Sequence, residues 1–295
     1  MIKTGIRSLR DPFVLVTDDA YYLYGTGIPG DGGWADTVWA CYKSTEGLFG
    51  DWKMTETLVY ERPKDAEKQL WAPEVHKYKG DYYLFGSYFS AKTKHRGCTI
   101  LKSSSPEGPF VEISDGHVTP SDWDAIDGTL YVDEDGCPWL VFVHEWTSTE
   151  DKVGRMAVAR LSDDLTRLTS EPKDVFKAND PTWTNNGCTD GPFMYKTREG
   201  KLLMLWSNFL DKDYCVGIAE SKSGKPDGEW IHWEELLFSK EITGNDDGGH
   251  GMIFVSKEGE KYLSVHSPNR PTDTGKEEVI FVPVHEENGK LVCVI

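Results

Sequence analysis

Residues 124–146, DAIDGTLYVDEDGCPWLVFVHEW, read as a β-hairpin whose open end carries titratable groups. An acid, Asp127, opens a short apolar strand, Asp133-Glu134-Asp135-Gly136 makes a tight turn, and a second apolar strand runs out to His144-Glu145-Trp146. The same plan appears four more times along the chain. Arg10-Asp11-Pro12-Phe13 turns at Thr17-Asp18-Asp19-Ala20 into Tyr21 to Thr26, and Trp71-Ala72-Pro73-Glu74 turns at Lys79-Gly80-Asp81 into Tyr82 to Ser87. Thr189-Asp190-Gly191-Pro192 turns at Arg198-Glu199-Gly200 into Leu202 to Ser207, and Gly249-His250-Gly251 turns at Lys257-Glu258-Gly259 into Tyr262 to His266. The copies recur about every sixty residues, and each opens on an ionisable residue: Asp11, Glu74, Asp127, Asp190 and His250.

Hairpins at that period, with almost no helical periodicity, predict an all-β fold: a five-bladed β-propeller of four-stranded antiparallel blades around a central channel. The repeats are spread evenly, so residues 1–295 read as one propeller domain. The first strand of each blade lies nearest the axis, so the opening residues are expected to converge on one end of the channel. A hairpin returns its second strand to the face where the first began, which predicts Thr26, Tyr88, Glu145, Asn208 and His266 on the same rim.

A formal net charge of -17 argues against nucleic acid and anionic membrane surfaces as partners. No apolar run is long enough to span a membrane, and the N-terminal residues MIKTGIRSLRDPF lack the apolar core of a signal peptide; on that reading the chain is cytoplasmic. The six cysteines show neither a paired Cys-x-x-Cys nor zinc-ligand spacing and read as ordinary thiols. Residues 27–40 form a Gly-rich loop carrying Trp34 and Trp39, either a connector with packed Trp or a lid that stacks on a sugar.

Convergent carboxylates in a cavity rimmed by Trp and Tyr suit glycoside hydrolysis. One acid must hold a proton for the leaving oxygen while another, ionised, activates water on the opposite face of the sugar, so their environments must separate the two pKa values. Arg10-Asp11-Pro12, the Trp-Ala-Pro-Glu of 71–74, Ile126-Asp127-Gly128, Thr189-Asp190-Gly191-Pro192 and Gly249-His250-Gly251 together resemble glycoside hydrolase family 43, and the resemblance covers about the whole chain. It implies an inverting mechanism on α-L-arabinofuranosyl or β-D-xylosyl units, with Asp11 as general base and Asp127 as the residue that tunes and orients the proton donor. His250 resembles the axial histidine that in many members helps hold a calcium ion through water.

The fourth motif departs from the family. Its usual Glu-Gly-Pro is here Asp190-Gly191-Pro192, one methylene shorter, and a displacement of about 1 Å in a reacting group can cost about 10²-fold in rate. Three readings follow: Asp190 reaches as the acid, Glu145 on the same rim donates instead, or the chain is a weakened relative that binds carbohydrate without cleaving it. Trp71 and Trp146 are candidates to stack on sugar, and Glu74, Asn208 and Arg270 to bind its hydroxyls; for Trp71, Glu74 and Arg270 the competing readings are a packed Trp, a salt-bridged residue and an exposed loop Arg. The expected activity is removal of terminal α-L-arabinofuranosyl units from plant-derived oligosaccharides, with β-xylosidase or galactofuranosidase action as the alternative on this scaffold.

Overall fold

A blade strand is covered on both faces by neighbouring blades, so its sequence runs apolar without the alternation of a half-exposed sheet. The returning hairpin strands show this most clearly, since β3 (Tyr21–Gly27) and β11 (Pro138–His144) are buried at every residue. The computed structural model describes residues 1–28, 36–244, 246–269 and 277–295. Its strands form five antiparallel sheets in a ring, a five-bladed β-propeller.

In the first blade, β2 (Leu9–Val16), β3, β4 (Val38–Ser44) and β5 (Lys53–Met54) run in spatial order from the axis outwards. The second blade repeats this order with β6 (Ala66–Tyr78), β7 (Asp81–Ser90), β8 (Arg96–Ser103) and β9 (Val111–Glu112). The third contains β10 (Ala125–Val132), β11, β12 (Arg155–Arg160) and β13 (Lys173–Lys177), and the fourth β14 (Asp190–Lys196), β15 (Leu202–Leu210), β16 (Asp213–Ser221) and β17 (Trp230–His232). The fifth is closed by the other end of the chain. Its inner strands β18 (Gly249–Val255), β19 (Lys261–Ser267) and β20 (Glu278–Glu287) take β1 (Ile2–Arg7) as the outer strand, with Ile2 opposite Phe281 and Lys3 opposite Ile280. β21 (Lys290–Cys293) extends β20 as a hairpin, and a single turn of helix, α1 (Lys240–Thr243), precedes the fifth blade.

Large aromatic side chains fill the clefts between blades. Trp39, buried on β4, donates its indole N–H to the Trp71 carbonyl of the next blade at 3.1 Å. It is thus a packing residue of the first cleft, whereas Trp34 lies outside the described residues.

Candidate active site

The five motifs become the mouth of the channel through a shared irregularity. In each innermost strand the pairing slips between Arg10 and Phe13, Trp71 and Glu74, Ile126 and Thr129, Asp190 and Phe193, and Gly249 and Met252, leaving two residues bulged. The first bulged residue is left-handed in every blade: Asp11 (φ 55°), Ala72 (φ 43°), Asp127 (φ 56°), Gly191 (φ 54°) and His250 (φ 51°). A bulge of this kind re-aims a side chain that regular pleating would send into a neighbouring blade.

This register revises the equivalence read from the motifs. Asp11, Asp127 and His250 are true counterparts, but Asp190 stands immediately before the fourth bulge and Glu74 immediately after the second. Glu74 consequently sits one layer deeper, level with Phe13 and Thr129, where it is buried and bonded to His76 Nε2 at 3.0 Å. It does not reach the cavity. The rim shifts likewise: the residues opposite the last paired position are Thr26, Ser87, Val143, Ser207 and His266, so Tyr88 and Asn208 leave the expected rim, whereas Glu145, one residue past the end of β11, still lines the cavity. Asn208 is buried, with its amide donating to the Ala178 carbonyl at 2.9 Å, and Tyr88 points to Glu112.

Those second-strand residues stitch the ring together by accepting the bulged N–H of the next blade. Thr26 Oγ1 accepts from Ala72 at 2.7 Å, Ser87 Oγ from Asp127 at 2.9 Å, Ser207 Oγ from His250 at 2.8 Å, and His266 Nδ1 from Asp11 at 3.2 Å. Val143 has no acceptor to offer. There the Asp127 carboxylate takes the N–H of Gly191 at 2.9 Å, which ties it to the backbone immediately after Asp190.

The side chains above this ring are tightly coupled. Asp11 Oδ2 accepts from the Thr26 hydroxyl at 2.6 Å, and Oδ1 lies 3.2 Å from His250 Nδ1, which is also 3.8 Å from Asp127 Oδ2. Burial opposes ionisation of Asp11, but the His250 imidazolium and the Arg10 guanidinium overcome it and hold the carboxyl well below its usual range. For His250, burial favours the neutral ring; Asp11 and Asp127 outweigh it and push the group up to about 10. Asp127 is pushed up to about 8, by burial first and then by the charges of Asp190 and Asp11. Asp190 is raised as well, again chiefly by burial. His266 stays neutral because it is buried beside Arg10; it accepts through Nδ1, so its Nε2 carries the hydrogen donated to Asn269 at 3.2 Å.

Asp11, Asp127, Glu145, Asp190 and His250 line a cavity of about 420 Å³ walled by Trp71 and Trp146, within the size range of small-ligand sites. A second cavity, of about 610 Å³, shares Arg10, Trp146, Asp190 and Tyr214 with the first and continues past Asp190 towards Lys152, Asn186 and Phe209. Glu145 receives the Arg96 Nε at 2.6 Å, and Arg96 lies over the Trp71 ring at 5.8 Å. Burial raises the Glu145 carboxyl more than Arg96 lowers it, to about 7. Arg270 lies outside the described residues. Arg96 and Tyr214 were not legible as site residues, because each stands at the start of a third strand, far from the repeated motifs.

His250 does not offer a calcium site of its own. A calcium ion takes six to eight oxygen ligands, whereas His250 engages two carboxylates through Nδ1, and among the described residues no group of three or more His, Cys, Asp or Glu is arranged to hold a metal. A calcium ion held through water, the arrangement expected at His250, would instead draw its oxygen ligands from that water.

The model of glycosyl hydrolases family 43 matches residues 5–290. The solved structure of an endo-arabinase from Bacteroides thetaiotaomicron is 36% identical, with a TM-score of 0.83 over 98% of either chain. An extracellular exo-α-(1→5)-L-arabinofuranosidase of Cellvibrio japonicus is 28% identical over 175 residues, covering 56% of this chain and 47% of that protein, so the match spans about half the relative's length. An extracellular endo-α-(1→5)-L-arabinanase of Bacillus subtilis is 26% identical over 225 residues, 69% of this chain and 68% of that one. Further relatives are named as a β-D-galactofuranosidase and a xylan 1,3-β-xylosidase. The cytoplasmic expectation is overturned by these relatives: the Cellvibrio and Bacillus proteins, and a Streptomyces avermitilis arabinofuranosidase, are all named as extracellular.

Proposed function

The chain belongs to glycosyl hydrolases family 43, and from that premise we propose that it is an inverting glycosidase removing terminal α-L-arabinofuranosyl units from plant-derived oligosaccharides. The observation that carries this reading is the grouping of Asp11, Asp127 and Asp190 around one aromatic-walled cavity, with Asp11 held ionised and the other two carboxyls raised. Asp11 accepts a proton from water as that water attacks the anomeric carbon from the face opposite the leaving oxygen. Asp190 gives its proton to that oxygen as the glycosidic bond breaks, and solvent returns both groups to their starting states. Asp127 tunes and orients the donor: it takes the N–H of Gly191, and two like carboxyls this close disfavour each other's ionisation, so that ionising one holds the proton on the other. Glu145, paired with Arg96, binds sugar hydroxyls beside Trp71 and Trp146.

A second reading, internal cleavage of arabinan, is favoured by the cavity that continues past Asp190 and by the likeness to a structure named as an endo-arabinase. The two are separated by the products from linear arabinan: free arabinose from the first turnovers supports terminal action, and mixed oligosaccharides overturn it. The assignment of the acid is tested by Asp190→Asn beside Glu145→Gln on aryl arabinofuranosides, xylosides and galactofuranosides. A loss of about 10²-fold or more in the first, largest for poor leaving groups, is expected, with a change in KM for the second. The reverse pattern makes Glu145 the donor, and a wild type that turns over nothing moves the reading to a carbohydrate-binding propeller.

A further inference from the structure

The short acid at position 190 is held by contacts that the reaction as written leaves unused. Its Oδ2 receives two donors: the Tyr214 hydroxyl at 3.0 Å and the Cys188 thiol at 3.5 Å. Both come from its own blade, Tyr214 from the start of β16 and Cys188 from the segment just before β14. With Oδ2 engaged twice, the proton that Asp190 transfers belongs on Oδ1. An aspartate has one side-chain torsion fewer than a glutamate, and two donors on one oxygen fix the remaining rotation of the carboxyl plane.

Tyr214 is itself set rigidly. Its ring packs against Phe209 at 5.0 Å and stacks on His266 at 5.7 Å, and its backbone N–H donates to Asp247 Oδ2 at 2.9 Å. Across the blade junction it lies against Gly249, where a Cβ would come within 2.5 Å of the ring; only glycine leaves room for the tyrosine to reach Asp190. The ring contacts account for an aromatic residue here, but they give no reason for the hydroxyl. The hydroxyl's partner is Asp190.

We infer that Tyr214, seconded by Cys188, is the positioning residue of the proton donor: it pins Oδ2 so that Oδ1 presents the proton at the junction of the two cavities, compensating for the shorter side chain. This rests on the reading of Asp190 as the acid. The consequences separate it from a packing role. General-acid assistance matters in proportion to how poor the leaving group is, so a misplaced donor slows poor leaving groups and spares good ones. Hydrogen bonds from Tyr214 and Cys188 favour the ionised form of Asp190, so removing one raises its pKa and carries the alkaline limb of the rate profile upward. The charged and titratable groups around Asp190 are Asp11, Asp127, Glu145 and His250, with Arg10 and Lys152 on the walls of the cavities it lines, besides these two donors, and none is altered by the substitution.

The experiment uses wild type, Tyr214→Phe, Cys188→Ala and Asp190→Asn on a series of aryl glycosides of the cleaved glycone, from dinitrophenyl to unsubstituted phenyl. Tyr214→Phe preserves the ring packing. It is expected to lower kcat about 10-fold or more on the phenyl glycoside and about 2-fold or less on the dinitrophenyl one, with KM nearly constant and the alkaline limb shifted to higher pH. Cys188→Ala should show the same pattern more weakly. A uniform loss across the series, or none, in Tyr214→Phe overturns the inference while a leaving-group-dependent loss in Asp190→Asn keeps the functional reading. If Asp190→Asn is also flat, or the wild type cleaves nothing in the series, the reading of Asp190 as acid falls and the positioning role falls with it.

Discussion

Asp11, Asp127 and His250 occupy a backbone region that costs a side-chain-bearing residue on the order of 1 kcal/mol or more each, and such outliers persist only where the surroundings enforce them. Here the enforcement is visible: each bulged N–H is taken by a buried acceptor from the preceding blade. Glycine stands at the fourth of these positions for a related reason, since a Cβ on Gly191 would come within 2.8 Å of the His250 ring. His250 in turn keeps Asp11 ionised and so always able to accept a proton, at the expense of basicity. Asp11→Asn removes the proton acceptor while leaving an amide oxygen for the Thr26 hydroxyl. Turnover is expected to fall by about 10² to 10⁴-fold with substrate binding retained, as read by kcat and by the shift in melting temperature on adding product sugar. Near-full activity in this variant, on every substrate the wild type cleaves, would remove Asp11 from the mechanism.

At the scale of the strand and the blade, the hairpins were legible because double-sided burial writes them as apolar runs between turn residues. The bulges were not. Two residues opposing one look, in a single sequence, like an ordinary strand start, so Glu74 and Asp190 passed as counterparts of Asp11 when the register sets them directly after and directly before the bulge. Asn208 was misplaced for the same reason, because a slip of one residue exchanges the faces of a strand. Outer strands such as β5, with two residues, carry too little pattern to bound. The interblade acceptors lie at the mirrored position of four of the five second strands, a signal readable only once the bulge register is known. Their importance is testable at Ser207, which is fully buried. Ser207→Ala leaves the His250 N–H without its acceptor, a penalty of about 1–3 kcal/mol for an unsatisfied buried donor. A fall in the urea midpoint that, multiplied by an unchanged m-value, corresponds to this loss is expected, and an unchanged midpoint would show that the ring of hydrogen bonds contributes nothing to holding His250.

For the whole molecule, closure depends on a pairing no local pattern announces: β1 and β20 join residues nearly the full chain apart, and they complete the fifth blade, which presents His250. The ring therefore binds the chain's ends and its charged centre into one unit, and its stability should report the protonation of that centre. His250 is held at about 10 against an ordinary value of 6.5, so its contribution is fully present below about 6.5 and is lost as pH rises towards 10. Asp127 at about 8 and Glu145 at about 7 act in the same sense, because the folded state keeps protons that the unfolded chain has already released. Asp11, with its depressed carboxyl, works oppositely but only in acid, its contribution being lost as pH falls below the ordinary carboxylate value. Buried His117 and His232, both lowered to about 4, also destabilise the fold in acid, since unfolding lets them take up protons below about 6.5. Above pH 6.5 the axial groups all push one way. The melting temperature is accordingly expected to fall from pH 7 to pH 9, and His250→Gln, which removes the imidazolium that unfolding would discharge, should flatten that slope while lowering stability at pH 7. Calorimetry of the two proteins across this range decides the matter: a slope unaltered by the substitution would place the alkaline loss of stability in the surface charge of a chain at -17 rather than at its axis.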